Sequence, residues 1–192
     1  MLASGSGTNF QALIDAADPD VEISLLIADR PDVAALTRAE AAGIPSQLIK
    51  YGQFADRDSF SRAAIAAAEE SGAESLVLAG FMRILAPVAV RRYRNRILNI
   101  HPSLLPAFPG AHAVAQALAH GVKVTGVTVH FVDEEVDHGP IIAQRPVPVL
   151  PDDTEETLHE RIQIEEHKIY PEVVSAFVAG RVRVSGREVI WS

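Results

Sequence analysis

Short aliphatic and β-branched runs alternate with Ala-rich helical patterns along most of the chain, with glycine and proline at the breaks. Such alternation restricts the fold to the α/β class with a largely parallel sheet. Strands are expected at Leu2-Ala3, Val21–Ile27, Ser46–Ile49, Leu76–Ala79, Ile97–Ile100, Val124–Phe131 and Ile141–Val149. Helices are expected at Asn9–Ala17, Val33–Ala42, Asp56–Ser71 and Ala113–His120, the second and third stopped by Gly43 and Gly72. Asp153 and Glu156 make a capping-box-like start to a long last helix, which Pro171 should kink or split. Val182–Trp191 reads as a hairpin around Ser185-Gly186. The expectation is one domain over 1–192, a mostly parallel twisted sheet flanked by helices. Its Rossmann-type half spans 1–100, a second half spans 101–192, and the small hairpin comes last.

Composition narrows the function. There are no cysteines, which removes disulfides, thiolate metal sites and thioester intermediates. The formal net charge of −8 argues against bulk attraction to nucleic acid, so an anionic ligand needs local dipoles and a few placed side chains. No apolar run approaches about 18 residues, and the start lacks a basic, apolar leader, so a cytoplasmic location and no membrane partner are expected.

Three segments carry candidate chemistry. Gly5, Ser6, Gly7, Thr8 and Asn9 lie between a strand and a helix, where free backbone N–H groups and the helix dipole favour an anion. The segment lacks the third glycine of a dinucleotide fingerprint and the Gly-Lys-Ser/Thr of a P-loop, so a single phosphate fits it best. The alternative is an ordinary tight turn. Asn99 and His101 share one face at the C-terminal end of an apolar strand, the edge where open α/β sheets bind ligands. An amide donor beside an imidazole can stabilise an oxyanion and handle a proton. The loop His130–Pro140 carries Asp133, Glu134, Glu135 and Asp137; it is either a solvated acidic loop or a partner to the strand end. The histidines at 101, 112, 120, 130, 138, 159 and 167 show no metal-ligand spacing, so no metal is expected.

Four segments in this order resemble the phosphoribosylglycinamide formyltransferase family, the folate-dependent transformylases of purine biosynthesis. They are Ser4–Asn9, Gly80–Leu85, Asn99-Ile100-His101-Pro102-Ser103-Leu104-Leu105-Pro106 and Val136-Asp137-His138-Gly139-Pro140-Ile141-Ile142. Gln163-Ile164-Glu165-Glu166-His167 adds to the match, and the resemblance runs from about Leu2 to Ala179. It implies formyl transfer from 10-formyltetrahydrofolate to the amine of glycinamide ribonucleotide, without a covalent enzyme intermediate. By resemblance Asn99, His101 and Asp137 form the catalytic trio. The substrate phosphate and ribose fall to Gly5, Ser6, Gly7, Thr8, Asn9, Gln163 and Glu166. The folate falls to Arg57, Met82, Arg83, Ile84 and Leu85 and to the loop with Val132, Asp133, Glu134 and Asp137. Pairing with Asp137 is expected to hold His101 as an imidazolium, and the loop is expected to be mobile without folate.

Two positions depart from the family. The first strand is cut to Met1-Leu2-Ala3, with the expected start upstream, and Ala107 stands where relatives carry a polar or basic residue. The expected partners are the two small molecules, with a homodimer left open. Rival readings are a formyltetrahydrofolate deformylase, a methionyl-tRNA formyltransferase and a non-catalytic folate-binding module. The first two would need an extra regulatory or basic domain, and the third would lack part of the trio.

Overall fold

The computed structural model describes residues 1–192, which divide into two compact units, Met1–Leu98 and Asn99–Ser192. In the first, strands β1 (Leu2–Ala3), β2 (Leu26–Ala28), β3 (Ser46–Leu48) and β4 (Leu76–Leu78) alternate with helices α1 (Thr8–Ala16), α2 (Ala34–Ala41) and α3 (Arg57–Glu70). The strands lie in the order β3-β2-β1-β4, all parallel, with Leu2 opposite both Ile27 and Leu78. Leu2, Ala3, Leu26, Ile27 and Ala28 are almost wholly buried, as expected of strands covered on both faces. Helix α3 starts with a reciprocal capping box, in which Asp56 accepts from the Ser59 amide at 2.8 Å. A short helix α4 (Pro87–Arg92) has proline at its first turn, where the missing N–H costs nothing.

Strand β5 (Ile97–His101) carries the chain into the second unit. There helix α5 (Ala113–His120) precedes strands β6 (Val124–Phe131) and β7 (Ile141–Pro148), which pair antiparallel. Their register shifts between Val129 and His130. Helix α6 (Glu155–Val178) packs on β6 and β7 and buries Leu158, Ile162, Ile169, Tyr170 and Val173 fully or almost fully. Strands β8 (Val182–Ser185) and β9 (Glu188–Trp191) form the C-terminal hairpin, and Trp191 donates its ring N–H to the Ile142 carbonyl. The chain thus has the expected class: a mostly parallel sheet flanked by helices, with a small antiparallel hairpin.

Several expectations need correction. Of Val21–Ile27 only the end is strand, because β2 pairs only where β1 and β3 run beside it. The cap of α6 is Thr154, boxed with Thr157 rather than Asp153 with Glu156. Asp153 is drawn off instead by Arg161, with both carboxylate oxygens bound at 2.7 and 2.8 Å, and this holds its carboxyl well below the usual range. Of the two outcomes expected at Pro171, a split does not occur: α6 runs unbroken through it. A mid-helix proline costs about 3 kcal/mol, and the buried Ile169, Tyr170, Val173 and Val174 around it supply more than that by burial at about 1.5–3 kcal/mol each.

Candidate active site

Two side chains at the end of β5 begin the site. His101 is buried, and its Nε2 lies 2.9 Å from the Phe108 carbonyl oxygen. A carbonyl only accepts, so Nε2 carries the hydrogen and Nδ1 faces the other way. There the Asp137 Oδ2 atom stands at 3.3 Å. Asp137 comes from the loop between β6 and β7 and has a left-handed backbone, φ 51°. Its Oδ2 also accepts from the Gly110 amide at 2.7 Å, and its Oδ1 lies 3.5 Å from the Asn99 side-chain nitrogen. The three side chains singled out in the sequence therefore meet within one unit.

Two effects act on the charge of His101 in opposite senses. Burial lowers the His101 pKa and outweighs the opposing pull of Asp137 and of the Phe108 carbonyl. A proton on Nδ1 is what lets the ring bond Asp137 at 3.3 Å, and burial is what opposes that proton. For Asp137, burial pushes the pKa up, but neighbouring hydrogen bonds, the Gly110 amide among them, bring it below the ordinary carboxylate value. The Gly110 N–H, at 2.7 Å, is the firmest of these, because it needs no proton on an imidazole.

Polar groups fasten the surroundings. Thr128 on β6 donates to the Ser103 carbonyl at 2.6 Å and accepts from the Leu105 amide at 3.0 Å. Gln144 on β7 donates to the Leu105 carbonyl at 2.8 Å, so the chain leaving His101 is pinned. The Asp137 loop is tied at several points. His138 Nδ1 lies 2.7 Å from Asp133, and the Arg187 guanidinium at the hairpin turn donates to the His138 carbonyl at 2.8 Å. Gly139 closes the loop base, where a Cβ would meet the Phe131 carbonyl oxygen. Glu134 and Val136 point outward, and Val132 is half-buried.

His130 is the residue that sequence reasoning passed over. It is buried on β6, with Nε2 3.2 Å from the Asn99 amide nitrogen and 3.6 Å from Asp137 Oδ1. Its spacing of two from Thr128, both polar inside an apolar strand, was the available signal. On α6, Gln163 and Glu166 are one turn apart; Gln163 lies beside His159, and Glu166 is buried.

In the first unit, the Gly5–Asn9 segment leads into α1, with Gly7 in a left-handed conformation, φ 66°, at the cap position. No acidic residue lies in the first turn of α1. Arg38, absent from the sequence reading, donates to the Ser6 carbonyl at 2.9 Å and to Gln11 at 3.0 Å. Ser4 accepts from the Met82 amide at 2.8 Å and ties this segment to Gly80–Leu85. Arg83 is committed to the buried Asp29 at 2.6 Å and lies over the Tyr51 ring at 4.5 Å. Leu85 is buried, so Met82 and Ile84 are the side chains that this stretch exposes. Arg57 is exposed at the start of α3, and Ala107 is exposed beyond β5.

Residues 1–174 match the family model described as formyl transferase. The chain is 47% identical over 189 residues to a phosphoribosylglycinamide formyltransferase of Mycobacterium tuberculosis (strain ATCC 25618 / H37Rv), covering 97% of this chain and 87% of that protein. It is 46% identical over 196 residues to the trifunctional purine biosynthetic protein adenosine-3 of Bos taurus, covering all of this chain but only 19% of that protein. The chain spans a fifth or less of the trifunctional relatives. The crystal structure of glycinamide ribonucleotide transformylase 1 from Symbiobacterium toebii superposes with a TM-score of 0.96 at 46% identity, over 99% of this chain and 91% of that one.

Proposed function

The chain belongs to the formyl transferase family, and on that premise we propose that it transfers a formyl group from 10-formyltetrahydrofolate to the primary amine of glycinamide ribonucleotide. The products are formylglycinamide ribonucleotide and tetrahydrofolate, and the step belongs to purine synthesis. The observation that carries the mechanism is the meeting of Asn99, His101 and Asp137 at the end of β5.

The amine lone pair attacks the formyl carbon, and the carbonyl oxygen becomes an oxyanion. The Asn99 N–H and the His101 Nε2–H are the donors for that charge, the latter exchanging its bond to the Phe108 carbonyl. As negative charge develops, the proton affinity of His101 rises, and the proton released by the amine is held there as an imidazolium opposite Asp137. Collapse of the tetrahedral intermediate breaks the bond from carbon to the folate N10, which takes that proton. The nucleophile belongs to the substrate, so the enzyme forms no covalent bond.

The remaining contacts are proposed within each unit separately. Gly5, Ser6, Gly7, Thr8 and Asn9 receive the phosphate at the start of α1, with Arg38 adding positive charge beside Ser6. Gln163 and Glu166 meet the ribose. Arg57 and Met82–Leu85 in the first unit, and Val132–Asp137 in the second, receive parts of the folate.

The test is tetrahydrofolate release from 10-formyltetrahydrofolate, measured with and without glycinamide ribonucleotide. Release that requires the ribonucleotide, matched by formylglycinamide ribonucleotide, supports the proposal. Release as formate without it would replace the proposal with a deformylase, and no turnover would replace it with a binding module.

A further inference from the structure

We infer that His130 is a positioning residue that sets the orientation of the Asn99 carboxamide and reserves one of its N–H groups for the oxyanion. The inference rests on the transfer reaction proposed above, but its geometry stands apart from it. His130 Nδ1 lies 2.9 Å from the carbonyl oxygen of Phe131. That oxygen can only accept, so the hydrogen is on Nδ1 and Nε2 keeps its lone pair. Nε2 is 3.2 Å from the Asn99 side-chain nitrogen, and only an amide N–H can meet a lone pair there. The backbone of β6 therefore fixes the tautomer of His130, and the tautomer fixes which end of the Asn99 amide turns inward.

One N–H of Asn99 is consumed in this way. The other faces Asp137 Oδ1 at 3.5 Å, a long contact that an oxyanion can readily replace. Without the lone pair of His130, both N–H groups would be free to turn toward Asp137, and the donor would no longer be set in advance for the transition state. The fold makes provision for this contact. The register of the β6–β7 ladder shifts between Val129 and His130, and an irregularity of this kind re-aims a side chain near a site. His130 is buried in an otherwise apolar stretch between Val129 and Phe131. A histidine placed there without a task carries a desolvation penalty that a leucine would avoid.

The test uses the whole protein. Nitrogen-15 spectra of the wild type should show His130 protonated on Nδ1. The Asn99 side-chain amide resonance should shift in His130→Phe, which fills the space but offers no lone pair. In turnover, His130→Phe should lower kcat by about 10- to 100-fold, between the loss of one hydrogen bond and the loss of a whole oxyanion donor, with KM for both substrates within about twofold. His130→Gln, whose side-chain oxygen can accept from Asn99, should recover most of the rate. In an Asn99→Ala background, His130→Phe should cost less than about twofold more. A proton on Nε2 in the wild type, or an Asn99 resonance unmoved in His130→Phe, overturns the positioning whatever the protein catalyses. With those spectra as expected, unaltered kcat in His130→Phe, or losses that multiply fully with Asn99→Ala, overturn its role in turnover. Absence of formyl transfer in the wild type would fall on the proposed function instead. Should His130→Phe fail to fold while His130→Gln folds, the wild-type spectra and the rate of His130→Gln decide. An Nδ1 proton with near-wild-type kcat in His130→Gln supports the inference, and an Nε2 proton or a His130→Gln as slow as Asn99→Ala overturns it.

Discussion

Alanine at position 139 would bring a methyl carbon to 1.9 Å from the Phe131 carbonyl oxygen and 3.2 Å from the Asp133 amide nitrogen. An unstrained carbon–oxygen contact is about 3.3 Å, so the chain must open by roughly 1.4 Å at a point only two residues from Asp137. The neighbour is backbone, held further by the bond from the Phe131 amide to the Pro140 carbonyl at 2.9 Å, so no flexible side chain can give way. A misplacement of about 1 Å in a catalytic group costs on the order of 10²-fold in rate. Overpacking costs about 1–3 kcal/mol, which lowers Tm by about 2–4 °C per kcal/mol in a chain of this size. Gly139→Ala should thus remain folded at 25 °C and lose about 10²-fold in kcat. The assay is steady-state formyl transfer beside a thermal melt, with Gly52→Ala as control, where a Cβ meets nothing within 4 Å. A folded Gly139→Ala with kcat within about threefold of wild type would refute the claim that this loop base places Asp137.

Asn99→Ala should lower kcat by about 10²–10³ and leave KM for the ribonucleotide nearly unchanged, as loss of a single oxyanion donor requires. Gly7→Ala combines a positive φ with a Cβ 2.9 Å from that of Ala35, so it should raise KM for the ribonucleotide more than it lowers kcat, as initial-rate kinetics would show. Stability should fall on acidification, read by urea unfolding across pH. His101 and Asp137 both have lowered pKa values in the folded chain, so the unfolded chain binds protons more readily. The His101 contribution is complete above 6.5 and declines below it; that of Asp137 is complete above 3.8 and is lost beneath. In His101→Gln the decline just below pH 6.5 should flatten, and an unchanged slope there would count against a His101 pKa lowered by burial.

The parts of this protein legible in its sequence are those fixed by local pattern. Val124–Phe131 and Ala113–His120 form as their periodicity indicates, since each is long enough for one face to be plainly apolar. Leu2-Ala3 was recognisable despite its length because the Gly-rich turn and α1 follow it. Features decided by distant partners were not legible. Asp153 was a good capping residue by type, yet Arg161 holds it and the cap passes to Thr154. Helix α4 has too few residues to show a period. The burial of His101, which opposes the imidazolium that its pairing with Asp137 favours, is set by the whole surrounding fold. The place of His130 depends on a ladder irregularity with no sequence mark of its own, so only the polar alternation of Thr128 and His130 hinted at it.

The central claim is that Asn99, His101 and Asp137 together move a formyl group from folate to an amine. It is tested most directly by following a carbon-13-labelled formyl group from 10-formyltetrahydrofolate under single turnover, in the wild type and in Asp137→Asn. The account predicts that the label appears in formylglycinamide ribonucleotide, and that the variant binds both substrates normally but transfers the label on the order of 10² times more slowly. Label recovered as formate in the wild type, or equal transfer rates in the two proteins, would contradict it.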